Sequence, residues 1–211
     1  MWGDQNWRLH FSVPGILRSS ATIRWGINLP DGTLLSENPK HSVLLDWLRR
    51  FVWTLFHARG EGRRAFAPTN AGKIAVGITS LVQWMVSEGV TLPCDLSDEA
   101  FDAFLEELPD LIEGNGVTWD PFQVDQDASS EDLSVTQVFM RVNIPILIWQ
   151  QRHELAAAGY APMPSRPWSG RSALEVARLL GKRVLPECSG GFYLAENEHV
   201  RRQNQAKARK H

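Results

Sequence analysis

Apolar positions along this chain keep two different periods, one near its start and another over most of the remainder. Trp7, Leu9 and Phe11 alternate with Arg8 and His10, and Ala21, Ile23, Trp25 and Ile27 alternate with Thr22, Arg24 and Gly26. A period of two places alternate side chains on one face of a strand, so both stretches predict short β-strands. Pro30-Asp31-Gly32 predicts a tight turn: Pro presets φ, Asp bonds locally and Gly accepts a positive φ. Thr33-Leu34-Leu35 can then pair back, so a small antiparallel hairpin or meander is expected in residues 1–37.

From Asn38-Pro39 the period becomes helical, with Asn as N-cap and Pro in the first turn. Leu44, Trp47, Leu48, Phe51, Val52, Leu55 and Phe56 keep that spacing up to Arg59-Gly60 and cover a wide arc, which predicts a central helix. A second helix is expected from Pro68-Thr69, burying Ile74, Ile78, Leu81, Val82 and Met85 and ending at Gly89. A third, over 97–108, carries Asp98 and Glu99 in its first turn and buries Phe101, Phe104, Leu105 and Leu108. Residues 111–131 read as an acidic linker. Ser129-x-x-Asp132 is a capping-box pattern that would open a fourth helix running to Gly159, kinked at Pro145. Three prolines in 161–167 predict an extended connector. Ser172-x-x-Glu175 opens a further helix, Ala173–Leu180, stopping at Gly181. Residues 186–211 are polar and basic, with a disordered tail expected.

The fold class is therefore mainly α, a helical bundle preceded by a small N-terminal antiparallel β-hairpin. Nine Trp suit a substantial interior, and Trp47, Trp53 and Trp84 are all expected in it. Two cysteines, Cys94 and Cys188, are too few for a disulfide framework or metal cluster and suit a reducing compartment. The histidines, among them His10, His41, His57, His153 and His199, lack metal-ligand spacing. Neither a secretory leader pattern nor an apolar run near the ~20 residues of a membrane span is found. No cofactor is expected, and the location expected is the cytoplasm.

A net charge of −2 conceals strong segregation. Residues 1–94 carry a balance of +4, residues 95–132 hold thirteen acids and no Lys or Arg, and residues 133–211 carry +7. Such asymmetry suits a polyanionic partner for the basic parts. It also suits a blocky solvated surface.

Two groups of words have a further meaning together. The first is Val43-Leu44-Leu45-Asp46-Trp47-Leu48-Arg49-Arg50-Phe51, the loop Arg59…Arg63-Arg64, then Leu81-Val82-Gln83-Trp84-Met85-Val86-Ser87-Glu88-Gly89 and Phe101-Asp102-Ala103-Phe104-Leu105. The second is Ala158-Gly159-Tyr160-Ala161-Pro162-Met163-Pro164 with Trp168-Ser169-Gly170-Arg171-Ser172-Ala173. Over roughly residues 5–185 the chain resembles the N-terminal, core-binding region of tyrosine site-specific recombinases (phage-type integrases) of bacterial mobile elements. The resemblance implies a SAM-like core-binding domain at 38–110, the linker at 111–131, and a helical segment at 132–185 leading towards a catalytic domain. It implies duplex DNA as partner, a full-length recombinase protomer as a second one, and association with the nucleoid.

Recombinase chemistry needs a Tyr nucleophile and an Arg/His-x-x-Arg set around the scissile phosphate. The His-x-x-Arg of this chain, His199-Val200-Arg201-Arg202, has no Tyr after it; Tyr160 and Tyr193 both precede it. The resemblance thus implies a DNA-binding fragment, not an enzyme, arising by truncation. The candidate DNA contacts are Arg49, Arg50, Arg59, Arg63, Arg64 and Lys73, with Thr69 and Asn70 adding neutral donors at a helix start. Gln83 is a candidate base reader. A protein-interaction or regulatory module without DNA contact, and a poorly folding pseudogene product, are the competing readings.

Overall fold

The computed structural model describes residues 2–10, 20–58, 60, 65–114 and 135–184. The sequence-based expectations for the middle of the acidic linker, the Ser129 capping box and the basic tail lie outside those residues. Strands β1 (Asn6–His10) and β2 (Ser20–Arg24) pair antiparallel, with Trp7 opposite Ile23 and Arg8 opposite Thr22. Alternation puts Trp7, Leu9, Ala21 and Ile23 on the face turned to the interior. Trp25 continues the ladder through a 2.9 Å bond from its N–H to the Gln5 carbonyl, is fully buried, and meets Trp7 edge-on at 5.2 Å. The expected turn forms as read: Gly32 has φ 79°, and Asp31 Oδ1 accepts from the Thr33 N–H and hydroxyl. The return stretch pairs only as a single bridge, Asn28 to Leu34.

Asn38 caps a short 3-10 turn, accepting from the Lys40 N–H at 3.0 Å, and that turn feeds helix α1 (Ser42–His57). Helix α2 (Ala71–Ser87) ends where Gly89 takes φ 70°, which lets the Val90 N–H reach back to the Met85 carbonyl at 2.7 Å. Helix α3 (Asp98–Gly114) buries Phe101, Phe104, Leu108 and Ile112 and leaves Asp98, Glu99, Asp102, Glu106, Glu107 and Asp110 exposed. It passes through Pro109 and takes in residues 111–114, which the sequence placed in the linker.

Helix α4 (Val135–Gln150) is buried on nearly every side and packs on α2, α3 and α6 (Ala173–Val184). Pro145 does not stop it. An interior proline costs about 3 kcal/mol, but Ile144, Ile146, Leu147 and Ile148 around it are all buried, each contributing roughly 1.5–3 kcal/mol. The chain breaks at Gln151, before the short helix α5 (Arg152–Ala157), so the single helix expected to run to Gly159 is two helices. Ser172 and Glu175 form the expected capping box, Ser172 N–H to Glu175 Oε2 at 2.8 Å and Glu175 N–H to Ser172 Oγ at 3.3 Å. Helix α6 then runs through Gly181 to Val184 instead of stopping there.

Buried side chains from β2 to α6 belong to one cluster. Helix α4 completes the interior that α1 to α3 begin. The closest approach is at Gly77 of α2, where a Cβ would lie 2.7 Å from the Met140 carbonyl and clash with Ile144. One turn on, the buried Arg141 donates from Nε to Ser80 Oγ at 2.8 Å and from Nη1 to the Gln137 carbonyl at 3.0 Å. Burial lowers the Arg141 pKa, and no carboxylate among the described residues pairs with it.

Gly77→Ala should destabilise the protein. Overpacking against a fixed carbonyl costs roughly 1–3 kcal/mol, and the helix-propensity gain of about 0.5–1 kcal/mol offsets part of it. A fall in Tm of several degrees on thermal unfolding checks this, and an unchanged Tm would contradict it. Ser80→Ala strands a buried cationic donor and should cost roughly 1–3 kcal/mol. In an Arg141→Met background the same change should cost under about 1 kcal/mol, and denaturant unfolding of the four proteins measures the coupling.

Candidate nucleic-acid interface

The candidate cations do not share one environment. Asp46, Arg49 and Arg50 lie on one side of α1 by their i, i+3 and i+4 spacing, and that side is covered by chain from both directions. Asp46 Oδ1 accepts from Trp2 Nε1 at 2.7 Å, and its Oδ2 accepts from the Tyr160 hydroxyl at 2.6 Å. Trp47 Nε1 donates to the Ala161 carbonyl at 3.1 Å. The stretch before β1 and the connector after α5 are thus both held to α1.

Arg49 is drawn into this junction. It is only 9% exposed, donates from Nη2 to the carbonyls of Gly3 (3.4 Å) and Asp4 (3.0 Å), and lies 5.8 Å from the Trp25 ring centre. Burial lowers its pKa, with Asp46 and Asp4 opposing. It cannot reach a phosphate without dismantling those contacts, so its place among the DNA contacts is corrected to an anchor. Arg50 is half-buried beside Tyr160, its Nε enclosed without a partner.

Arg59, Arg63 and Arg64 lie outside the described residues, but the ends of their connector do not. The Ala58 N–H closes α1 on the Thr54 carbonyl, Gly60 is buried, and the Phe66 N–H bonds to the Leu55 carbonyl at 2.8 Å. Beyond it Thr69 is exposed, Asn70 is half-buried with Nδ2 3.4 Å from the Ala67 carbonyl, and Lys73 is exposed. The first turn of α2 has neither a side-chain cap nor an acidic residue. Gln83 is not presented as a base reader: its Nε2 donates to the Asn28 carbonyl at 2.9 Å and ties α2 to the turn region.

Trp53 also departs from expectation. It is 41% exposed and stacks on His57 with ring centres 3.6 Å apart, while Trp47 and Trp84 are buried as read. A helical period assigns one face, and Trp53 lies on the opposite one. Cys94 is half-buried beside Asp95, and burial pushes its thiol pKa up, away from a reactive thiolate. Among the described residues no three His, Cys, Asp or Glu side chains gather to hold a metal, and no helix is long and apolar enough to cross a membrane.

Sequence reading did not group the polar residues of the hairpin. Asn6, Arg8 and His10 alternate on β1, Ser20, Thr22 and Arg24 on β2, and pairing brings all of them to one face. The signal was the same period of two that located the strands. No family model, curated protein or solved structure matches the chain.

The hydrogen bond to Asp46 raises the Tyr160 pKa, burial adds to this, and Arg50 opposes it. A phenol whose pKa is raised by folding contributes stability that is full below its ordinary value of 10.0 and fades as pH climbs through the folded value. The stability difference between wild type and Tyr160→Phe should therefore be constant up to about pH 9 and shrink above pH 10. Thermal melts of both proteins across pH 8–11 test it, and a difference that grows with pH would refute it.

Proposed function

We propose that this chain is a duplex-DNA-binding module of the kind tyrosine recombinases use to grip their substrate, with no chemistry of its own. The observation that carries the reading is the α1–α2 junction. A connector bearing Arg59, Arg63 and Arg64 is tied to the core at both ends and delivers the chain to an acid-free helix start bearing Thr69, Asn70 and exposed Lys73. Arginine and lysine side chains bind phosphates by charge, with release of counterions. Arg50 remains a peripheral candidate and Arg49 does not. The resemblance to recombinase core-binding regions supports the same partner.

The competing reading, a protein-interaction module, draws on α3, whose exposed Asp98, Glu99, Asp102, Glu106, Glu107 and Asp110 suit a basic partner.

Affinity for nonspecific duplex DNA, followed from about 50 to 200 mM salt, separates the two. The DNA reading expects binding that weakens steeply with salt. Arg63→Ala with Arg64→Ala should lower the log–log slope by up to about 1.8, at roughly 0.9 per phosphate contact. Absent binding at low salt, or a flat salt response, would favour the protein-interaction module.

A further inference from the structure

We propose that the outer face of the β-hairpin is a second phosphate-contacting surface, laid along the backbone of the same duplex. This rests on the DNA-binding reading above and adds a site to it. Asn6, Arg8, Thr22 and Arg24 line one open depression on that face. His10 and Ser20 extend it by register, as an opposed pair at the far end. Asn6, Arg8, His10 and Arg24 are exposed, and Ser20 and Thr22 are half-exposed. Neither strand carries a carboxylate.

The chemistry of the face selects its occupant. Its groups are two guanidinium forks, an amide, two hydroxyls and an imidazole, all able to donate a hydrogen bond. Neither Arg8 nor Arg24 is in an ion pair with a described residue. Arg8 faces Thr22 and Arg24 faces Asn6, so the arginines are diagonal neighbours across the ladder. Diagonal positions lie roughly 7–8 Å apart, a separation on the scale of consecutive phosphates on one strand. A neutral apolar partner finds nothing to bury here, whereas a row of anionic oxygens meets a donor at every position. Twisted two-stranded ribbons also have the width to follow a DNA groove.

The ribbon is held as a rigid platform. Its inner face packs through Trp7 on Trp25, Trp2 lies 5.4 Å from Trp7, and β2 lies against α2. Arg49 clasps the carbonyls just before β1. The arginine withdrawn from the surface thereby acts as a positioning residue for two that stay on it.

The test measures duplex affinity against salt for the full chain, for Arg8→Ala with Arg24→Ala, and for Arg63→Ala with Arg64→Ala. The hairpin variant should melt with the wild type and bind on the order of tenfold to a hundredfold more weakly near 0.1 M salt, with a slope smaller by up to about 1.8. Arg8→Lys with Arg24→Lys should keep most of the affinity, since charge carries the contact. Asn6→Asp, nearly isosteric and placed opposite Arg24, should weaken binding without touching the core. A hairpin variant that binds like wild type while the connector variant weakens would overturn the hairpin site and leave the DNA reading standing. Lysine or aspartate variants that fail to track charge would overturn the phosphate assignment. Wild-type protein that does not bind DNA at low salt would overturn both.

Discussion

The architecture depends on two helices coming closer than side chains normally permit. At Gly77 the missing Cβ lets the Met140 carbonyl and Ile144 of α4 press on the backbone of α2. A close crossing lets apolar rows interlock over several turns, and it brings Arg141 within reach of Ser80. The seam therefore has a small residue at its centre, aliphatic side chains about it and a polar joint beside it. Its importance extends past the two helices, because β2 and α3 pack on α2 while α6 packs on α4. A wider crossing would shift both halves of the molecule relative to each other.

Arginine has two opposite uses in this fold, and local sequence does not distinguish them. Arg49 and Arg141 are buried, bonded to carbonyls or a hydroxyl, and have pKa values lowered by loss of water. Arg8 and Arg24 stand on an open face. Planar delocalised guanidinium is weakly hydrated and tolerates the first role at moderate cost, while its charge persists for the second. Counting basic residues along a helix thus overstates the charge that helix shows to a partner.

Elements were legible in the sequence where the deciding interaction is local. The Asp31–Thr33 turn, the Asn38 cap, the Gly89 terminator and the Ser172–Glu175 box involve residues within about a turn of one another, and each formed as read. What failed depended on residues far away. Helix α3 continues through Pro109, and α6 continues through Gly181. Arg49 is buried by the chain near Gly3, Gln83 is engaged by Asn28, and the unity of the core comes from α4 returning across some sixty residues onto α2. Of the candidate interface, the junction cations were visible as a cluster in sequence. The hairpin face was not, since its two arginines are sixteen positions apart and become neighbours only through the ladder.

Charge placed by folding in this way also decides how a module of this size would orient on a polyanion. Carboxylates gather on the outer face of α3, while the hairpin face and the first turn of α2 carry none. In an anionic field the hairpin face and the start of α2 would be attracted and the outer face of α3 repelled, over the Debye length of about 8–10 Å at ordinary salt. A near-neutral total is then no obstacle to binding, because the field at close range follows the nearest surface and not the sum. The same division argues against one long binding face wrapping the molecule. It favours, on any polyanion, a pose in which the outer face of α3 is turned away.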